Sequence, residues 1–344
     1  MYNVVLIGCG HMGSVHLDDI YMNENVNVYG VVDIDRERAR MFAKRYGAES
    51  FDTDYMRYMQ DEKTDIIICA TYPATHLEIL RQCVRYHKHL LCEKPITPTL
   101  EEAKEFVRLV KEADIKVQIG YILRYNETYR RVAELIHNGA IGNPLIIRMV
   151  QNHHVMDWKK YRALLENASP IVDCGVHYID VCRWFTRAEV CDVDGICTTL
   201  DEEVPEDTYN YGLMTMRLTD GSIAYYEAGW GNSIAADNLK EFIGPKGRIK
   251  IIEREHRSSC QEEGDLIEYY DCQKKEYRTI NVNCKRRPTG AQLNHLIEMI
   301  ERDVPAVPTI DDVFESYKTA VTADRKIREK HRIYAGFQVF NKHL

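Results

Sequence analysis

The sequence predicts two domains: an α/β domain with a parallel sheet, then an α+β domain with a mostly antiparallel one. Three observations predict this. Up to about residue 122, short apolar runs alternate with amphipathic stretches, an order that gives a parallel sheet covered by helices on both faces. Beyond that point long strand-like runs are joined by hairpin signals, which gives antiparallel pairing. The length of 344 residues fits two domains at roughly 100–200 residues each. The expected division is 1–122 and 123–344.

The elements follow in order. In the first domain, strands are expected at 4–7, 28–32, 66–69, 90–92 and 116–119, with helices from about residues 12 and 75 and over 36–46 and 100–111. The strands are short apolar runs bounded by Gly or a charged residue, as strands buried on both faces are. In the second domain a helix is expected over 126–138 and a long strand over 144–155. Further runs lie at 209–218, 222–230, 250–253 and 276–282, and helices at 292–302 and 312–329 close the chain. Gly244-Pro245-Lys246-Gly247 and Thr219-Asp220-Gly221 are the hairpin signals.

Composition excludes several classes. With 45 Lys+Arg against 53 Asp+Glu and a net charge of −8, the chain lacks the clustered positive charge that nucleic acid or an anionic membrane surface requires. No apolar stretch reaches the about 18 residues of a membrane span, and Met1-Tyr2-Asn3 runs into an apolar strand without an export signal. The 11 cysteines are scattered, without a CxxC pair or metal-ligand spacing. A cytoplasmic protein with free thiols and no metal is expected. A His153, His154 and Asp157 metal site is disfavoured because adjacent strand residues diverge.

The first strand ends in Gly8-Cys9-Gly10-His11-Met12-Gly13, a G-x-G-x-x-G between strand and helix. Gly8 permits the tight turn, Gly10 lets the backbone approach a pyrophosphate, and Gly13 lets the helix pack close to the strand. The helix N-terminus offers N–H groups to an anion. The second strand ends at Asp33, where a carboxylate would accept hydrogen bonds from both hydroxyls of an adenosine ribose. This reads as NAD in preference to NADP, whose 2′-phosphate would meet that charge, although Arg36 and Arg38 lie nearby. Thr71, Tyr72 and His76 follow one later strand and Glu93-Lys94-Pro95 the next, at the carboxyl ends where an open sheet binds its ligand. The expected cofactor positions are therefore Gly8, Gly10, His11, Met12, Gly13, Asp33, Ile34, Thr71, Tyr72, His76, Glu93 and Lys94.

In the second domain, Ser169 followed by Pro170 reads as an N-cap and first helical position. In the helix that follows, Asp173, His177, Asp180 and Trp184 recur at spacings of four, three and four, on one face. From the pattern alone His177 is either a core histidine held by Asp173 or a general base whose tautomer Asp173 selects.

Gly8-x-Gly10-x-x-Gly13, Asp33, Glu93-Lys94-Pro95 and Asp173-x-Gly175-x-His177-x-x-Asp180 together resemble the Gfo/Idh/MocA oxidoreductases. Ala140-Ile141-Gly142, Gly221-Ser222-Ile223 and the closing helices at 292–330 sit where that family would place them. The resemblance implies an N-terminal Rossmann domain and a C-terminal domain with a large open sheet, one face for substrate and the other often a subunit interface, hence a homo-oligomer, dimer or tetramer. It also implies that Lys94, Asp173 and His177 surround a reacting carbinol, with His177 as base and Lys94 stabilising the alkoxide. The family's glycine pair before the aspartate is absent; the stretch here is Asn167-Ala168-Ser169-Pro170-Ile171.

The expected substrate is a sugar, cyclitol or related polyol. Its pocket is expected to be lined by Lys94, Tyr125, His153, Trp158, Asp173 and His177, with Arg124, Asn152 and Trp230 as neighbours. An aromatic platform such as Trp158 or Trp230 suits an apolar ring face. Strand alternation puts His153 with Val155 on one side and Asn152 with His154 on the other. Two rival readings stand beside the dehydrogenase: a lyase or hydrolase using transient oxidation by tightly held NAD, and a sensor without turnover.

Overall fold

Short runs of β-branched and leucine residues, apolar on both faces, build the first sheet of this computed structural model, which describes residues 1–155, 158–201, 204–205, 208–253 and 264–341. Strands β1 (Tyr2–Ile7), β2 (Val26–Val32), β3 (Ser50–Asp52), β4 (Ile66–Cys69), β5 (His89–Cys92) and β6 (Val117–Ile119) pair in the order β3-β2-β1-β4-β5-β6, all parallel. Helices α1 (His11–Ile20), α2 (Arg36–Tyr46), α3 (Met56–Met59), α4 (His76–Arg85) and α5 (Leu100–Glu112) connect them. Asp35 caps α2 by accepting from the N–H groups of Glu37 and Arg38, and Gly47 ends it at φ 69°. The strand order reverses between β1 and β4, so the crevice of this sheet opens at their carboxyl ends. β3 and α3 are additions to the sequence reading; at three and four residues they are too short to show a period.

In the second unit come α6 (Glu127–His137), β7 (Ile146–His154), α7 (Trp158–Leu165), α8 (Pro170–Asp173), α9 (Gly175–Thr186), β8 (Val190–Thr198), β9 (Tyr211–Leu218) and β10 (Ile223–Gly231). They are followed by β11 (Lys240–Gly244), β12 (Gly247–Ile252), β13 (Asp265–Asp271) and β14 (Glu276–Val282). The eight strands form one sheet, β14-β13-β12-β11-β7-β10-β9-β8. Every pairing is antiparallel except β7 with β10, which makes the sheet mixed. Both hairpin signals hold: 244–247 joins β11 to β12, and 219–221 joins β9 to β10.

Alternation sorts the faces of this sheet. Met214, Met216, Ala224, Tyr226 and Ala228 turn inward and are buried. α8 and α9 pack on β9 and β10: the Tyr178 ring stacks on Tyr226 with centroids 4.9 Å apart, and Gly175 approaches so closely that a Cβ would sit 3.3 Å from the Tyr226 ring. One continuous helix across 173–184 is not what forms. α8 ends at Asp173, Cys174 intervenes, and the first turn of α9 tightens to a three-residue bond from His177 N–H to the Cys174 carbonyl. The expected single polar face is corrected accordingly: Asp180 is buried, whereas Asp173, His177 and Trp184 are half-buried.

The last two helices are α10 (Thr289–Arg302) and α11 (Ile310–Asn341), the latter longer than the 312–329 expected. The chain divides into two compact units, Met1–Tyr125 with Arg287–Phe314, and Asn126–Arg286 with Glu315–Leu344. A single cut after residue 122 omits the return of 287–314. The apolar stripe of α10, with Leu293, Leu296, Ile297 and Met299, joins the core formed by β1, β2 and α1, and Thr289 donates its hydroxyl to Asp19 at 3.1 Å. No helix among the described residues is long and apolar enough to cross a membrane.

Candidate active site

The turn after β1 is sterically committed to glycine at two points. Gly8 has φ +100°, and a Cβ there would lie 2.6 Å from the Ala70 carbonyl oxygen. A Cβ on Gly13 would lie 2.1 Å from the Gly8 carbonyl oxygen, so α1 can start where it does only with a bare Cα. Gly10 is the opposite case: a Cβ would meet nothing within 4 Å, leaving open space over the backbone. Gly10 caps α1 without a side-chain bond, and no acidic side chain occupies the first turn, so its positive end is left for an anion. His11 engages Arg287.

At the end of β2, Asp33 is tied to this turn. Its Oδ2 accepts from Cys9 N–H at 2.8 Å, its Oδ1 from Asp35 N–H at 2.9 Å, and Arg38 Nη1 stands 3.5 Å away. Two backbone donors hold the carboxylate in place and leave it acceptor capacity for a ribose. Ile34, at 96% exposure, and Tyr72, at 48%, present apolar surface.

His76 and Glu93, both expected at the cofactor, are buried and act on the loops instead. The His76 Nδ1 faces the Pro95 carbonyl at 3.0 Å and Nε2 the Thr71 carbonyl at 3.2 Å, clipping the segment after β4 to the one after β5. Each ring nitrogen thus lies within hydrogen-bond distance of a backbone carbonyl. Burial opposes charge on both groups, yet hydrogen bonding from Cys92 and the proximity of His76 hold the Cys69 thiol well below the ordinary thiol range, and Cys69 in turn raises His76. Cys69, His76 and Cys92 offer three ligand atoms within 4.8 Å of one another.

Glu93 is engaged by His16 of α1, at 2.8 Å between Nε2 and Oε1. Sequence reasoning missed His16. The signal was available, since Gly13, His16, Leu17 and Ile20 form the buried stripe of α1 and a histidine on such a stripe needs a partner. Lys94 follows Glu93 and is half-buried. Tyr125, in the same unit, donates its hydroxyl to the Val307 carbonyl at 2.8 Å and packs its ring 5.7 Å from His295.

In the second unit Ser169 caps α8, its Oγ accepting from Val172 N–H at 3.2 Å with Pro170 at the first helical position, so the start read from the sequence is what forms. Asp173 ends α8 and accepts from the Cys174 thiol at 3.3 Å, and His177 lies in the first turn of α9. Beneath that turn is a cation no sequence signal marked. Lys240 is fully buried, donates to the Val150 carbonyl at 2.7 Å and sits 4.7 Å from the centre of the Tyr178 ring. Burial pulls its pKa down to about 8, opposed by Glu253, Asp237 and Cys174.

His153 and His154 diverge as strand alternation requires. His153 Nδ1 lies 3.4 Å from the Tyr161 hydroxyl, whereas His154 Nδ1 faces the Ile234 carbonyl. Trp158 is buried in an apolar cluster with Val155, Leu165, Val204 and Trp230, and Tyr161 meets Trp230 edge-on at 5.6 Å. Asn152 donates to Glu227 at 2.7 Å. Asp157 lies outside the described residues.

Comparison with known proteins places this arrangement. Residues 2–121 match the model of an oxidoreductase family with an NAD-binding Rossmann fold, and residues 129–250 match the GFO/IDH/MocA C-terminal domain. The chain belongs to the GFO/IDH/MocA family. As a GFO/IDH/MocA member it is an oxidoreductase with an N-terminal Rossmann fold and a mostly antiparallel C-terminal sheet. It is 24% identical over 247 residues to myo-inositol 2-dehydrogenase of Thermotoga maritima, covering 71% of this chain and 73% of that one. To the NAD+-dependent scyllo-inositol 2-dehydrogenase of Bacillus subtilis it is 25% identical over 252 residues, 72% of each chain. An aldose-aldose oxidoreductase from Caulobacter crescentus has a similar fold, with a TM-score of 0.82 at 20% identity over 96% of this chain and 98% of that one. So does a scyllo-inositol dehydrogenase from Lactobacillus casei with bound NAD(H) and scyllo-inositol, with a TM-score of 0.76 at 21% identity over 96% and 98%. The glycine turn of this GFO/IDH/MocA chain fits a dinucleotide, because the open space at Gly10 admits the pyrophosphate and the two crowded glycines admit nothing larger than hydrogen.

Proposed function

We propose that this protein is an NAD-dependent dehydrogenase acting on a secondary alcohol of a cyclitol, sugar or related polyol. The first unit binds the cofactor and the second the substrate. The observation that carries the reading is the glycine turn with the Asp33 carboxylate locked beside it, in a chain that retains Lys94, Asp173 and His177 and whose relatives are named inositol dehydrogenases. Asp33 favours NAD over NADP, since its charge opposes a 2′-phosphate. Gly8, Gly10, His11, Met12 and Gly13 form the pyrophosphate turn, and Ile34, Thr71 and Tyr72 line its mouth.

Nicotinamide, when bound, supplies the acceptor for a hydride from the carbinol carbon. His177 takes the hydroxyl proton, an imidazole being the base suited to neutral pH. Asp173 selects its tautomer, and Lys94 donates a hydrogen bond to the oxygen as negative charge develops, worth roughly 3–4 kcal/mol for one well-placed donor. Tyr125 in the first unit, and His153 beside the Trp158 cluster in the second, are the remaining candidate contacts for the polyol. Exposed Ile146, Ile196 and Ile223 on the second sheet support a homo-oligomer, and free thiols at all ten described cysteines support a reducing, cytoplasmic setting.

A panel of inositols and aldoses with NAD or NADP, followed by absorbance of the reduced nicotinamide, tests the reading. Lys94→Ala and His177→Ala should each lower kcat by orders of magnitude while NAD fluorescence titrations stay near wild type. Near-normal turnover in either variant removes that residue from the chemistry, and product without net reduced cofactor points to transient oxidation.

A further inference from the structure

We propose that His16 is a positioning residue that acts through Glu93 on Lys94; the inference rests on the role proposed above for Lys94. His16 Nε2 lies 2.8 Å from Glu93 Oε1, with the two side chains 1% and 5% exposed. The His16 Nδ1 is buried with no hydrogen-bond partner among the described residues. The whole polar commitment of this imidazole is therefore to one carboxylate oxygen, and a ring buried at the cost of an unsatisfied nitrogen is poorly explained by stability alone. The other oxygen, Oε2, accepts from the backbone N–H of Lys94 at 3.3 Å. Behind the carboxylate stands Gly120, where a Cβ would lie 3.0 Å from Oε2 and 3.1 Å from Cδ. The carboxylate is thus boxed by an imidazole, a bare Cα and the peptide whose direction it sets.

His16 also lies on α1, the helix that opens at the glycine turn. A rigid path runs from that turn through the imidazole and the Glu93 carboxylate to the Lys94 peptide, so the backbone that presents the ammonium is referenced to the element that holds the pyrophosphate. A displacement of about 1 Å at a reacting group can cost roughly 100-fold in rate, which makes such referencing worth a buried unsatisfied nitrogen.

Two measurements test this in the full-length protein. The first is the rate at which Lys94 is acylated by an amine-reactive ester, read by peptide mass spectrometry without substrate. It should change severalfold in His16→Leu and in Gly120→Ala, which moves the carboxylate without touching His16, and return to wild type in His16→Gln, whose amide can still donate. Unchanged labelling in both His16→Leu and Gly120→Ala overturns the proposal. The second is a double-mutant cycle on kcat with NAD and the best inositol of the panel. His16→Leu should lose roughly 10- to 100-fold alone and nothing further in the Lys94→Ala background. Independent, additive losses overturn the positioning role and leave Lys94 in place. Normal turnover of Lys94→Ala overturns the role of Lys94 itself, and the inference with it.

Discussion

Lys240 makes the stability of this protein depend on alkaline pH in a direction opposite to that of its buried tyrosines. Its pKa falls from 10.5 to about 8, with desolvation as the leading cause and Glu253, Asp237 and Cys174 pulling the other way. Between those two values the unfolded chain binds more protons at this site than the folded one, so stability rises with pH. The cost of the buried ammonium is fully present below about pH 8 and is relieved as the pH climbs toward 10.5. At about 1.4 kcal/mol per tenfold change in a proton equilibrium, the relief totals about 3 kcal/mol, of which about 2 kcal/mol is reached by about pH 9.5. Because the side chain is 0% exposed, no solvent screening reduces the figure. The perturbation is Lys240→Met, which keeps the volume and removes the charge. The bond to the Val150 carbonyl, which a neutral amine also makes, is lost in the variant at every pH and so offsets the comparison without tilting it. Tyr178 and Tyr226, whose phenols burial raises well above 10, destabilise both proteins alike as the pH rises. Urea unfolding at several pH values from about 7 to 10 gives the difference between wild type and variant. That difference should move in favour of the wild type by about 2.5 kcal/mol over this range. A difference flat with pH would refute the buried ammonium.

Other outcomes follow from the same geometry. Gly13→Ala, with its new methyl 2.1 Å from the Gly8 carbonyl oxygen, should abolish NAD binding in fluorescence titrations; retained affinity would mean that the turn can open without loss. Asp33→Ser should weaken NAD roughly tenfold or more, the effect of losing a partner for buried donors, and raise the NADP-to-NAD affinity ratio. Ser169→Ala removes the cap of α8 and should cost about 1 kcal/mol in urea unfolding.

Much of the fold was legible because it is local. The glycine turn, the acidic end of β2 and the alternation of apolar runs are each written within about thirty residues, where sterics and periodicity act directly. Ser169-Pro170 marked the start of α8 for the same reason. The helix after it was misread as continuous: it breaks at Cys174, and the next residue, Gly175, lies close against the Tyr226 ring some fifty positions away, a neighbour that no local pattern marks. β3 and α3 carry no period, and the return of α10 to the first unit depends on which apolar surface its stripe completes.

The candidate residues divide in the same way. Chain-local steric and electrostatic rules already named the dinucleotide turn and Asp33 as a cofactor site, whereas Lys94, Asp173 and His177 were singled out for hydride chemistry only by the resemblance to the family. Only folding decided that His76 and Glu93 would be buried to hold loops, that Trp158 would close an apolar cluster, and that Lys240 and His16 would matter at all. Each of those outcomes turns on what desolvates a polar group and what answers it, and that is a property of neighbours brought from far along the chain.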